Sequence, residues 1–226
     1  MDSNRQIIQD LRSKVGLQAE IDFLNLCKGV PLVYKGRLEE IRAETILFSV
    51  SSPDSICLGW HDHTTLLHDI FISGIHARVV RFDPRQGQVE LGEFGYTDRG
   101  FGERFIVRVE PDEPLDASMD VDGQTLPVKV LDLSLNGFGL RLDPAAQPLV
   151  PRGKALNLSL ELLGRQLSIP CQVLGVFPEA GQLRLAMHFA SDAPGHATVA
   201  RYISQRRAEI RQEILAAHQE ATGEAN

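Results

Sequence analysis

Apolar positions change their period twice along this chain. Ile7, Ile8, Leu11 and Val15 fall on one face of a helix with charge between them, and Gly16 interrupts the run. Leu17, Ile21, Leu24 and Cys27 continue at three- and four-residue steps as far as Lys28-Gly29, with Pro31 just beyond. One or two short helices are therefore expected, either as a lid over a barrel end or against a partner subunit.

From Leu32 the pattern becomes that of short strands. Residues 45–50 are rich in β-formers, residues 55–60 follow a Ser52-Pro53-Asp54 turn signal, and residues 66–73 make a third candidate. Residues 75–82 alternate, with Ile75, Ala77, Val79 and Arg81 opposite His76, Arg78, Val80 and Phe82. The turn Asp83-Pro84-Arg85-Gln86-Gly87 joins them to residues 88–94 as a hairpin. Residues 95–102 hold three glycines and few large apolar groups, which suits a joint. Residues 104–109 then run extended into a Pro-rich acidic stretch. A second strand set follows at 126–131, 137–142, 155–162, 167–176 and 183–189, separated by turn signals. Residues 198–219 are helical, with Val199, Ile203, Arg206, Ile210 and Ile214 on one side.

The fold expected is all-β with flanking helices. It has two small antiparallel barrels: residues 1–99 with the amino-terminal helices, and residues 100–226 with a six-stranded barrel and a carboxy-terminal helix. No βαβ alternation appears, which disfavours doubly wound sheets.

Composition narrows the function. Of the 226 residues, 43% are hydrophobic and 23% charged, which is ordinary for a globular protein. A net charge of −7 gives no general attraction to nucleic acid or anionic lipid, so an anionic ligand needs a local basic site. The opening residues are polar, no stretch approaches the ~18 apolar residues of a membrane span, and the odd count of three cysteines argues against a disulfide framework. A cytoplasmic protein with buried, inert thiols is expected.

Two short elements carry candidate chemistry. Arg104 and Arg108 are four apart, so they share a side whether the segment is strand or helix. Together they make a fork for phosphate oxygens and for stacking on purines, or else a solvated edge paired with Glu103 or Glu110. Asp132-Leu133-Ser134-Leu135-Asn136-Gly137 reads as a turn just after a strand, with Asp132 and Ser134 on one side and Leu133 and Leu135 inward. A carboxylate and a hydroxyl on one surface suit the amine-bearing edge of guanine, and Gly137 permits a positive φ or close approach of a ligand. A tight turn within a barrel is the plain alternative.

Other constellations are weaker. His61, Asp62, His63, His68 and Asp69 are a possible ligand cluster, but they read more simply as a polar loop, and no metal is expected. Asp120, Asp122 and Gly123 lack calcium-loop spacing and suit a hairpin turn at Asp122-Gly123. No catalytic motif is present. Ser134 has no adjacent histidine base, although a distant one such as His188 can be brought near by folding, and the chain is read as a non-enzyme. Arg201, Arg206, Arg207 and Arg211 form a basic stripe on the last helix, tempered by Glu209 and Glu213.

Arg104-x-x-x-Arg108, 23 intervening residues, then Asp132-x-Ser134-x-x-Gly137 resembles the PilZ domain family over roughly residues 100–215. The helix after Ala186-Met187-His188-Phe189 also resembles the end of those domains, and residues 32–94 are similar in layout to the amino-terminal barrel of flagellar-brake-like members. The resemblance implies a cyclic di-GMP receptor, with no other cofactor. Arg104 and Arg108 would wrap the phosphates and bases while Asp132, Ser134 and Gly137 contact a guanine, with Glu103 and Asn136 as additional contacts. It further implies that binding rearranges the domains and signals to a protein partner such as a flagellar motor, stator or secretion component, with localisation near the flagellar basal body and a homodimer both open. Glu103 departs from the basic residue frequent before the first arginine, which lowers affinity or favours one ligand over a stacked pair. Val107 stands where an aromatic is common. A degenerate adaptor that binds only proteins is the alternative.

Overall fold

The computed structural model describes residues 3–97, 107–179 and 181–223. The chain divides into two compact units. One takes the described residues of Met1–Cys27, Pro31–Phe105 and Ile210–Asn226, and the other those of Lys28–Val30 and Ile106–Glu209.

The first unit opens with helix α1 (Ser3–Asp10), extended by a π-helical turn over Leu11–Val15. Ile7, Ile8 and Leu11 are buried in one apolar cluster with the barrel interior, so this segment closes the barrel as a lid. Next comes β1 (Glu20–Cys27), where the helical spacing predicted another helix. The tighter period governs: Ile21, Phe23, Asn25 and Cys27 are buried at every second position. Strands β2 (Val30–Ile41) and β3 (Thr45–Val50) follow. Residues Pro53–Gly59 form a 3₁₀ helix, not the expected strand at 55–60. Ser52 caps it by accepting the Asp54 N–H at 3.2 Å, and four successive residues, Ser55 to Leu58, are buried, which an alternating strand does not allow.

Strand β4 (His63–Leu67) begins earlier than the predicted 66–73, because Thr64 and Leu66 are the positions that face the core. Strands β5 (Ile75–Asp83) and β6 (Gln88–Tyr96) make the expected hairpin, Asp83 pairing with Gln88. A register shift between Val79 and Arg81 turns Phe82 back toward the core, off the face it was predicted to share with His76. The strands close in the order β1-β2-β3-β6-β5-β4, with Phe23 on β1 opposite Leu66 on β4.

The second unit contains β7 (Arg108–Val109), β8 (Leu115–Val121), β9 (Gln124–Ser134), β10 (Gly137–Leu142), β11 (Ala155–Leu162), β12 (Arg165–Glu179) and β13 (Gln182–His188). Strand β8 was not foreseen. Its outward Asp116 and Asp120 disguise it as loop, while Met119 and Val121 are buried. The turn at Asp122-Gly123 is as expected, with both residues at positive φ (53° and 81°) between Val121 and Gln124. Six strands close in the order β9-β10-β13-β12-β11-β8, and β7 pairs with the end of β9.

Helix α2 (His196–Thr222) ends the described fold. Val199, Ile203, Arg206, Ile210 and Ile214 are all buried, as their spacing predicted. Arg206 thus leaves the exposed stripe. Its Nε donates to the Glu110 carbonyl at 2.9 Å, and its guanidinium pairs with Glu209 at 3.2 Å. No helix among the described residues is long and apolar enough to cross a membrane. Cys27, Cys57 and Cys171 are buried free thiols, and burial pushes Cys171 up to about 12.

Candidate ligand-binding site

The outer face of the second barrel follows from strand parity beyond a register shift in the β9–β10 pairing, between Gly139 and Leu140. On β9 Leu133 points inward, so Asp132 and Ser134 point outward. Phe138 and Leu140 fill the interior from β10, which leaves Gly137, Gly139 and Arg141 outside. On β13 Leu185 and Met187 are inside, and Arg184, Ala186 and His188 outside. Arg108 on β7 stands opposite Ser134, with the buried Val109 beside it.

Asp132 is nevertheless only 3% exposed. A carboxylate at that depth requires partners, and two arginines supply them. Arg108 donates to Oδ1 at 2.9 Å, and Arg184 reaches across from β13 to Oδ2. Arg184 also holds Glu179 at 2.9 Å. The carboxylate lies directly over the α-carbon of Gly139, where any Cβ would collide with it.

Ser134 is buried as well, its hydroxyl directed at the Gly137 carbonyl (3.2 Å) and at Asn136 Oδ1 (3.3 Å). Two strand steps separate it from His188, with Gly137 between them. Leu135 and Asn136 form a two-residue turn, and Leu135 is 48% exposed instead of inward as expected. The turn begins only after Ser134, so the motif is the end of a strand plus a hairpin corner. Gly137 has no positive φ; close approach is what demands glycine, since a Cβ there would sit 2.5 Å from the Met187 carbonyl oxygen.

The structure brings Arg108, Asp132, Ser134, Asn136 and Gly137 together. Arg104 and Glu103 lie outside the described residues. Arg184 and Gly139 were not foreseen: their closeness to Asp132 follows from the β9-β10-β13 register, which no local motif announces.

Residues 102–205 match the PilZ domain. The second barrel is PilZ-like. PilZ domains are non-catalytic receptor modules. No curated protein gives a significant match. Among solved structures the chain is similar to YcgR from Escherichia coli in complex with c-di-GMP, at 17% identity over 92% of this chain and 91% of that one, with a TM-score of 0.43. It is also similar to the K. pneumonia MrkH–c-di-GMP complex, at 14% identity, 94% and 96% coverage and a TM-score of 0.44. A third is the Bacillus subtilis inhibitor of motility MotI/DgrA, at 14% identity, 85% and 98% coverage and a TM-score of 0.41.

The alternative histidine cluster does not converge on a metal. His63 Nδ1 bonds Asp62 at 2.7 Å, and its ring stacks on His76 at 4.4 Å. Burial first, then the neighbouring His63, lowers the His76 pKa. His68 accepts the Ile70 N–H at 3.3 Å. Among the described residues no three His, Cys, Asp or Glu side chains form a group able to hold a metal. A cavity of about 550 Å³ in the first unit, lined by Lys35, Arg37, Arg85 and His218 among others, shares no residue with the PilZ cluster.

Proposed function

We propose that this chain is a cyclic di-GMP receptor, binding the dinucleotide on the outer face of its PilZ barrel and passing the signal to a protein partner. The observation that carries this reading is the Asp132 carboxylate, buried on an outward strand position and held between Arg108 and Arg184 beside Ser134 and Gly137.

The chemistry is an exchange. Phosphates of the ligand offer the arginines oxygen acceptors that outbid a shared carboxylate in number and geometry. Asp132, released, accepts the N1 and N2 hydrogens of a guanine. Each charge in the cluster then keeps a partner, so the site can stay desolvated in both states. Arg104 is the second phosphate ligand in this reading, and Ser134, Asn136 and Gly137 shape the guanine pocket. Glu103 lowers the positive potential there and favours a single bound ligand over a pair. Binding of the ligand changes the arrangement of the two barrels. The partner belongs to a flagellar motor or stator, or to a secretion machine, in control of motility or biofilm.

Calorimetry with cyclic di-GMP tests this. Saturable binding is expected, with affinity at least ~30-fold weaker in Arg108→Ala, because the substitution leaves ligand charge unpaired. Flat titrations of the unmodified protein overturn the receptor reading, and a stable protein complex alongside them favours an adaptor that binds proteins only.

A further inference from the structure

We propose that Phe177 is a stacking shelf for one purine of the bound dinucleotide, forming with Arg184 a second subsite on the PilZ face. This inference rests on the cyclic di-GMP reading above. Phe177 is 54% exposed, although it lies on a strand of a closed barrel with a complete core. The tip of its ring lies over Gly175, where an added Cβ would sit 2.9 Å from the ring. The glycine makes room for the ring, and more than half of the residue stays open to a ligand.

The register places this ring relative to the anchor. Asp132, Gly139, Ala186 and Gly175 form one row across β9, β10, β13 and β12, all on the outer face. The three residues after Asp132 have little or no side chain, so the row is a shallow trough. Its length is three strand spacings, roughly 14 Å. Asp132 stands at one end and the Phe177 ring covers the other. Two residues along, Phe177 pairs directly with Arg184, whose guanidinium holds Asp132, so one residue of β13 links the two ends of the row. An exposed aromatic ring at one end, an anchored carboxylate at the other and a floor of small residues between them suit a flat base. A register shift between Val173 and Gly175 is what turns this end of β12 so that Gly175 and Phe177 face outward.

Three variants test the shelf by calorimetry with cyclic di-GMP. Phe177→Ala is expected to weaken binding about tenfold or more, the loss of one base–aromatic stack, while the melting temperature stays unchanged. Phe177→Leu keeps apolar bulk without an aromatic face and is expected to weaken binding similarly. Phe177→Trp is expected to keep the affinity. Placed in a Trp60→Phe background, where it is the sole tryptophan, its fluorescence is expected to be quenched on ligand addition. If the alanine and leucine variants bind as the unmodified protein does while Arg108→Ala loses binding, the shelf is wrong and the receptor reading stands. If the unmodified protein does not bind, the receptor reading fails, and the shelf with it.

Discussion

The two barrels bury polar groups in opposite places. In the first, the buried polar side chains face the interior. Asn25 Oδ1 accepts from Tyr34 at 2.9 Å and from Thr64 at 3.0 Å, and Asn25 Nδ2 donates to the His63 carbonyl at 3.3 Å. All are neutral, and burial raises the Tyr34 pKa, keeping that phenol protonated. In the PilZ barrel the interior is apolar, and the buried polar groups, Asp132 and Ser134, lie on the outer face. One of them is a charge, and its arginine partners are themselves partly exposed. A neutral internal network specifies a core. A buried charge under exposed arginines depends on partners that solvent also reaches.

The largest effect expected is on the exchange site. Asp132→Ala removes the anchor of both arginines and, in the proposed receptor, the acceptor for guanine, and cyclic di-GMP affinity is expected to fall more than ~100-fold by calorimetry. Its cost in stability should be modest, because Arg108 and Arg184 can turn to water. Asn25→Leu inverts that pattern. It strands two buried hydroxyls, so urea denaturation should report a loss of about 3 kcal/mol, while ligand affinity stays within twofold. Equal effects of both variants on binding would erase the contrast between the barrels.

A smaller effect is expected at the hairpin corner. Gly137→Ala forces the Met187 carbonyl away from a Cβ at 2.5 Å, which should cost about 1–3 kcal/mol in the same denaturation experiment and weaken binding in parallel. The smallest effect sharpens the description of the first barrel. Glu39 is held down to about 2 by hydrogen bonds from Ser49, Gln18 and Arg37. A folded-state pKa depressed in this way stabilises the fold above the unfolded value near 4.5, and that contribution is lost as pH falls from there toward 2. An NMR titration should find the Glu39 midpoint well below that of other glutamates and shifted upward in Ser49→Ala.

How much was legible follows from how local each feature is. The face of α2, the hairpins at 83–88 and 121–124, and strands at 45–50, 137–142 and 155–162 could be read because burial period and turn chemistry agree over a few residues. Strand β1 could not be read in the same way, since Leu17, Ile21 and Leu24 mimic a helix until pairing with β4 selects the two-residue period. Strand β8 was hidden because its outward positions are acidic. At the site, Arg108, Asp132, Ser134 and Gly137 stand close enough in sequence to be recognised together.

The sequence by itself determined the two barrels, the buried helix face and the short motif that nominates the PilZ surface, because each depends on side chains within a few residues of one another. The tertiary structure alone decided that Asp132 is buried, that Arg184 holds it, and that Gly139 makes room for its carboxylate and Gly175 for the Phe177 ring. Those relations run across strands separated by dozens of residues, and only the hydrogen-bonded register of a closed barrel sets which side chains meet.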